Sequence, residues 1–249
     1  MNSERHPSNE PSAFGAAWTA GGLVVALRNG ISELYHWHFL DCVGRCDQGL
    51  AQQTLLYGWA WLLAVVELMV GLPAAPLTTT MDFSPDRNST SVTGIAALDN
   101  ADAALYAMVT VFGPSCYNSS SALSMPVPVT LSLPKVGVFA AGAGGAASLV
   151  VEQWHQSSSN AVYDRIWRDL SGRGLLKRSS DPYTYRIKDM ASEQGMQFVS
   201  EHFDEYSGML LDSMRPTAFD GEVVANGTHV TLSWQDSCPA VRVLRVRPT

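Results

Sequence analysis

The reading of the fold turns on Pro11–Phe39, PSAFGAAWTAGGLVVALRNGISELYHWHF. Its first half is small and apolar on nearly every side, Ser12 stands where an N-cap belongs, and Asn29-Gly30 stands where a helix stops. A helix that is apolar all round is buried over most of its surface. From Ile31 the pattern changes to aromatic alternation through His36, Trp37, His38 and Phe39, which predicts a strand. A loop with Gly44, Asp47 and Gly49 follows. A second helix is then expected from about Gln52 to Val70, including the apolar run Tyr57–Leu72, YGWAWLLAVVELMVGL. Helix, strand, loop and helix in that order make a piece of an α/β fold.

Composition narrows the function classes. The chain has 249 residues, 46% of them hydrophobic, enough for a sizeable core. Sixteen Lys and Arg stand against 23 Asp and Glu, so a nucleic-acid partner, which would need a basic face, is not expected. Seven Trp, eight Tyr and eight Phe exclude global disorder. Met1–Pro7 is polar and carries no charged region before an apolar core, so no secretory signal is read in this chain. Tyr57–Leu72 is shorter than the roughly 20 apolar residues of a membrane span and contains Glu67, so it reads as a buried helix, and no membrane partner is expected. Three glycosylation sequons, at Asn88, Asn118 and Asn226, point to a secreted or lysosomal parent protein. Of the four cysteines, Cys42 could close a small loop with Cys46 and Cys116 could pair with Cys238, or all could stay as structural thiols. The Cys42–Cys46 spacing is too wide for a zinc knuckle and no second pair follows, so no metal is expected, nor any cofactor.

After Pro73 and Pro76 the character changes. Short β-rich runs recur at Ser91–Leu98, Ala104–Phe112, Val127–Leu133 and Ala147–Trp154, separated by turn-rich segments. This spacing predicts an antiparallel β-sandwich. Helical spacing returns over 159–214, first in Ser159–Leu170 and then from Ile187 to Met214, with Pro216 as a stop. Asp164, Arg165, Arg168 and Asp169 read as a solvated helix face. Two last strands, Thr228–Trp234 and Ala240–Val246, close the chain, and the valines of the second, set among basic partners, suggest a half-buried edge. The expected organisation is therefore α/β plus all-β. Residues 1–76 form the end of a (β/α)-type barrel, residues 77–158 and 215–249 the sandwich, and residues 159–214 a helical insertion.

Several residues invite a chemical reading. His36 and His38 share one side of the expected strand, with Trp37 on the other; imidazoles bond sugar hydroxyls and an indole stacks on a sugar face, although a buried structural cluster is the plainer role. Ala141–Gly145 is glycine-rich, but a strand-like segment follows where a phosphate loop needs a helix N-terminus, so it reads as a hairpin loop. Asp41 and Asp47 read as turn residues, and His202 and His229 as isolated surface or core residues. A Glu as close to the start of the chain as Glu4 is ordinarily solvated.

Taken together, PSAFGAAWTAGGLVVALRNGISELYHWHF resembles the end of the catalytic barrel in retaining glycoside hydrolases of clan A, most of all family 39, which includes α-L-iduronidase and β-xylosidase. In that family a nucleophile-bearing strand is followed by a small-residue helix, an aromatic eighth strand and a last helix, and a β-sandwich is appended beside the barrel. The resemblance implies that Glu4, at the end of the seventh strand, is the nucleophilic carboxylate and that His36, Trp37 and His38 contact a carbohydrate substrate. Asn9-Glu10-Pro11 has the form of the family's acid/base motif on the fourth strand, but the four βα units that must follow do not fit before the β-rich region. The strand carrying the acid/base is thus absent, and the expectation is a C-terminal region of a glycosidase, without hydrolytic competence alone, whose partners are a glycan, the missing barrel portion or a second copy of itself. The alternative is a non-catalytic sandwich module that binds a glycan or a protein partner.

Overall fold

The structure, a computed structural model, describes residues 12–31, 51–52, 55–56, 58–78, 90–113, 116, 126–134, 149–177, 187–225 and 229–249. Helix α1 (Ala13–Arg28) begins at Ser12, whose hydroxyl accepts from the Phe14 amide at 3.2 Å, and ends at Asn29 and at Gly30, where φ is +68°. Both signals are the ones the sequence carries. Two short strands, β1 (Ala51–Gln52) and β2 (Leu55–Leu56), pair antiparallel. Helix α2 (Gly58–Val66) runs on into a 3-10 turn at Glu67–Met69.

Strands β3 (Ala74–Pro76), β4 (Ser91–Asp99), β5 (Ala104–Phe112), β6 (Val127–Pro134) and β7 (Leu149–Ser157) follow. Then come α3 (Val162–Gly172), α4 (Ile187–Met190), α5 (Glu193–Glu201) and α6 (Phe203–Ser213). The chain closes with β8 (Thr217–Ala218), β9 (Glu222–Ala225), β10 (His229–Asp236) and β11 (Ala240–Pro248). Six strands form one sheet in the order β3-β4-β5-β11-β7-β8, and three form a second in the order β6-β10-β9. Every strand pairing among the described residues is antiparallel. The architecture is mixed α/β with antiparallel sheets.

The large sheet is covered on both faces, which is why β5 and β11 are buried almost end to end. Toward one side, Leu105, Ala107, Val109 and Leu244 meet Val129, Leu131, Val230 and Leu232 of the small sheet. Toward the other, Tyr106, Met108, Val241 and Val243 meet α1 and α2 through Ala16, Ala17, Ala20, Val24, Trp61 and Leu62. Alanines on the contact face let α1 sit close enough for the Thr110 hydroxyl to donate to the Ala17 carbonyl at 3.1 Å. Gly94 of β4 is needed for a similar reason: a Cβ there would strike the Met108 carbonyl of β5. Cys116 and Cys238 are joined by a disulfide, with their Cα atoms 5.3 Å apart, tying the chain after β5 to the β10–β11 turn.

Four expectations need correction. The second helix does not start near Gln52: residues 51–52 and 55–56 pair with each other as β1 and β2, and α2 begins at Gly58. The last strand is not an edge: β11 lies between β5 and β7, and its Arg242, which looked like the solvent side of an alternation, is 1% exposed. Asp164 does not belong to a solvated face. It is buried, and its Oδ2 accepts from the Ala13 amide at 2.8 Å, placing a carboxylate at the positive N-terminus of α1. The stretch from Ile187 to Met214 is three helices rather than one, since Ser192 caps α5 through the Gly195 amide and His202 separates α5 from α6. The strand expected at Ile31–Phe39, with His36 and His38, lies outside the described residues beyond Ile31.

Candidate functional site

Of the residues singled out in the sequence, Glu4, Glu10, His36, Trp37, His38, Asn88, Asn118, Asn226, Cys42 and Cys46 lie outside the described residues. The structure assembles a different polar cluster, on the face of the large sheet turned toward β6 and β10. Its centre is Arg242 of β11, which stands opposite His155 of β7 in the register. The guanidinium grips Asp236 with both arms: Nη2 donates to Oδ1 at 2.8 Å and Nε to Oδ2 at 3.3 Å. Nη1 donates to the Gln153 side-chain oxygen and to Asp220 Oδ1, the latter at 2.5 Å. The rings of Trp234 and Phe219 lie 5.5 and 6.0 Å from the guanidinium carbon. Local chain geometry explains the pairing. β10 ends at Asp236 and the next turn returns at once as β11, so a carboxylate and a guanidinium six residues apart meet inside the fold.

Asp236 is also held by the Trp234 indole N–H at 2.6 Å. Burial pushes its carboxyl up, but the adjacent His155 and the hydrogen-bonded Arg242 outweigh that and hold it below the usual carboxylate range. His155 Nε2 lies 2.9 Å from Asp236 Oδ1, an ion-pair distance, although outside hydrogen-bond angles. The imidazole is half-buried and lines a groove of about 320 Å³ between β7, β8 and the C-terminal end of α6. Gln153 and Thr217 also line it, and Met209, Asp212, Ser213 and Arg215 come from the α6 side.

Both walls are fixed. The Trp61 indole donates to the Ser213 carbonyl at 3.0 Å and the Trp154 indole to the Met214 carbonyl at 3.1 Å, so two buried rings satisfy the end of α6, where carbonyls otherwise lack partners. On the β7 side, Asn160 spends its side chain on backbone, donating to the His155 carbonyl at 3.0 Å and accepting from the Ser157 amide at 2.7 Å.

A carboxylate beside an imidazole is the orienting half of a catalytic triad. Among the described residues, however, no hydroxyl or thiol is hydrogen-bonded to the His155 ring, and no three His, Cys, Asp or Glu are grouped to hold a metal. Sequence reasoning passed over His155, Asp236 and Arg242, although one signal was there: a polar run, Glu152-Gln153, continuing past Trp154 to His155, in a strand that also had to supply core. Compared with known proteins, the chain matches no family model and no curated protein significantly.

Proposed function

We propose that the chain is the closing region of a retaining glycoside hydrolase of the clan A, family 39 kind, and that it acts on glycosidic bonds only together with the barrel strands that carry the acid/base. In this reading Glu4 is the nucleophile, His36, Trp37 and His38 contact the sugar, and the two antiparallel sheets are the β-sandwich on which the last helices of the barrel rest. The two carboxylates of such a mechanism stand about 5 Å apart on opposite sides of the scissile bond, so Glu4 by itself cannot also protonate the leaving oxygen.

The observation that supports this best is the outer face of α1 and α2. Trp18, Val25, Leu63 and Val70 are exposed there, Trp18 at 57% and Val70 at 73%. The only charged residues of α1, α2 and the 3-10 turn are Arg28 and Glu67. A helix that faces water normally carries charge on that side, and an apolar patch of this kind marks a surface that something covers. The order of elements in the resembled family supplies the cover: the preceding strands and helices of the barrel.

The test reads the transcript upstream of the Met1 codon and assays both products. The expected result is an open frame encoding a strand with Asn-Glu, a longer product that hydrolyses aryl β-xylosides or α-L-iduronides, and no turnover by the 249-residue chain. Turnover by that chain alone, or an in-frame stop just upstream, overturns the proposal.

A further inference from the structure

We infer that the groove between β7, β8 and the end of α6 binds a neutral polyhydroxylated ligand about the size of one pyranose ring, an inference independent of the glycosidase reading. Its volume, about 320 Å³, is at the lower end of small-molecule sites. Its chemistry follows from which groups are already committed. The Gln153 side-chain oxygen is taken by Arg242, and both ends of the Asn160 amide are taken by β7 backbone. The Ser213 and Thr217 hydroxyls donate to the carbonyls of Leu210 and Gln153 and keep their lone pairs. The groups left to a ligand are those lone pairs, the Gln153 amide N–H, His155 Nδ1, the Asp212 carboxylate and the Arg215 guanidinium. Nδ1 is the ring's remaining polar atom, since Nε2 faces Asp236.

These groups select against charge. An anion entering the groove meets Asp212 on one wall and Asp236 behind the other; a cation meets Arg215 and, behind Gln153, Arg242. A hydroxyl both donates and accepts, so it bonds Asp212, Nδ1 and the two lone pairs as donor and Arg215 as acceptor. Met209 offers an apolar spot for a C–H face.

Asp212 strengthens the inference because its position does not serve the fold. It lies in the last turn of α6, where a carboxylate opposes the helix dipole. Its partner among the described residues, Arg215 at 3.5 Å, forms an exposed pair that a ligand displaces at little cost. Departures from local stability rules of this kind concentrate at functional sites.

The experiment titrates the full chain with methyl β-D-xyloside, methyl β-D-glucoside and myo-inositol, following the His155 imidazole resonances by NMR. Glucuronate and glucosamine serve as the anionic and cationic counterparts. The expected result is saturable movement of the His155 signals with at least one neutral probe, and at least tenfold weaker binding of both charged probes. Asp212→Asn and Arg215→Ala lie at exposed positions and leave the fold intact, and each weakens the neutral probe about tenfold, the loss of one such bond. No saturable shift with any neutral probe, preference for a charged one, or unchanged affinity in both variants overturns the inference. Hydrolysis plays no part in these readouts, so their outcome is separate from that of the upstream-transcript test.

Discussion

The two helical layers of this protein are finished in opposite ways. The insertion, α3–α6, buries its own core of Val162, Tyr163, Ile166, Leu170, Val199 and Tyr206 and turns charge outward. Arg165 pairs with Asp169 at 2.8 Å and reaches Glu205 at 3.6 Å, and Arg168 donates to the Ser158 and Ser159 carbonyls. The α1–α2 layer does the reverse. It buries alanines on the sheet and shows the outside Trp18, Val25, Leu63 and Val70. The contrast teaches that burial on one side does not complete a helix; what its other side carries tells whether water or another surface is meant to meet it.

Acid is the harshest way to separate the two. Asp236 anchors the sheet on which α1 and α2 rest, and its pKa is depressed in the fold. A depressed carboxyl contributes stability above its unfolded pKa, about 3.9, and that contribution is lost as pH falls through the lower folded value. Glu152 is lowered as well, by Arg245 and Arg247 against the cost of burial. The near-ultraviolet signal of Trp154 and Trp234 should stay constant from neutral pH to about 5 and collapse below about 4. A signal unchanged down to pH 2 would deny Asp236 this role.

Substitutions grade the contrast more finely. Ile166→Ala empties a buried position in the insertion and should cost about 2–5 kcal/mol in denaturant unfolding. Asp164→Ala tests a bond by which α3 holds the start of α1; it strands the Ala13 amide and should cost about 1–3 kcal/mol, with faster hydrogen exchange in the first turn of α1. Arg165→Ala removes an exposed pair and should cost only about 0.3–0.5 kcal/mol. An Arg165 effect as large as that of Ile166 would mean that the charged face does more than meet water.

Part of this was legible in the sequence, for identifiable reasons. The strand Ala104–Phe112, the cap at Ser12 and the stop at Asn29-Gly30 depend on local pattern alone, and each stands where that pattern puts it. Strand order depends on pairings across long sequence separations, so β11 looked like an edge although β5 and β7 flank it. The same gap hid the polar cluster. Arg242 among valines has the pattern of an outward residue; only the return of the chain after Asp236 makes it a buried cation with a carboxylate in reach. Asp164 was misread likewise, because its partner is the start of a helix 151 residues earlier. The groove could not be read at all, since its walls come from β7 and the end of α6 and are held by indoles of α2 and β7.

The smallest expected effect on stability discriminates most between the layers. Trp18→Lys combined with Val25→Glu changes two side chains that are more than half exposed, so the isolated chain should unfold within about 0.5 kcal/mol of the parent. Leu211→Lys, at an exposed position on the already charged α6, should behave the same way and serves as the control. The two variants part only where the outer face of α1 is covered. If the proposed longer product exists, charge at positions 18 and 25 would be buried in it without partners, which costs far more than its exposure does. Activity and solubility of that product should therefore fall sharply with the α1 pair and stay at parent level with Leu211→Lys. Equal activity in the two would mean that the face of α1 meets water after all, and the contrast between the layers would then be one of composition without consequence.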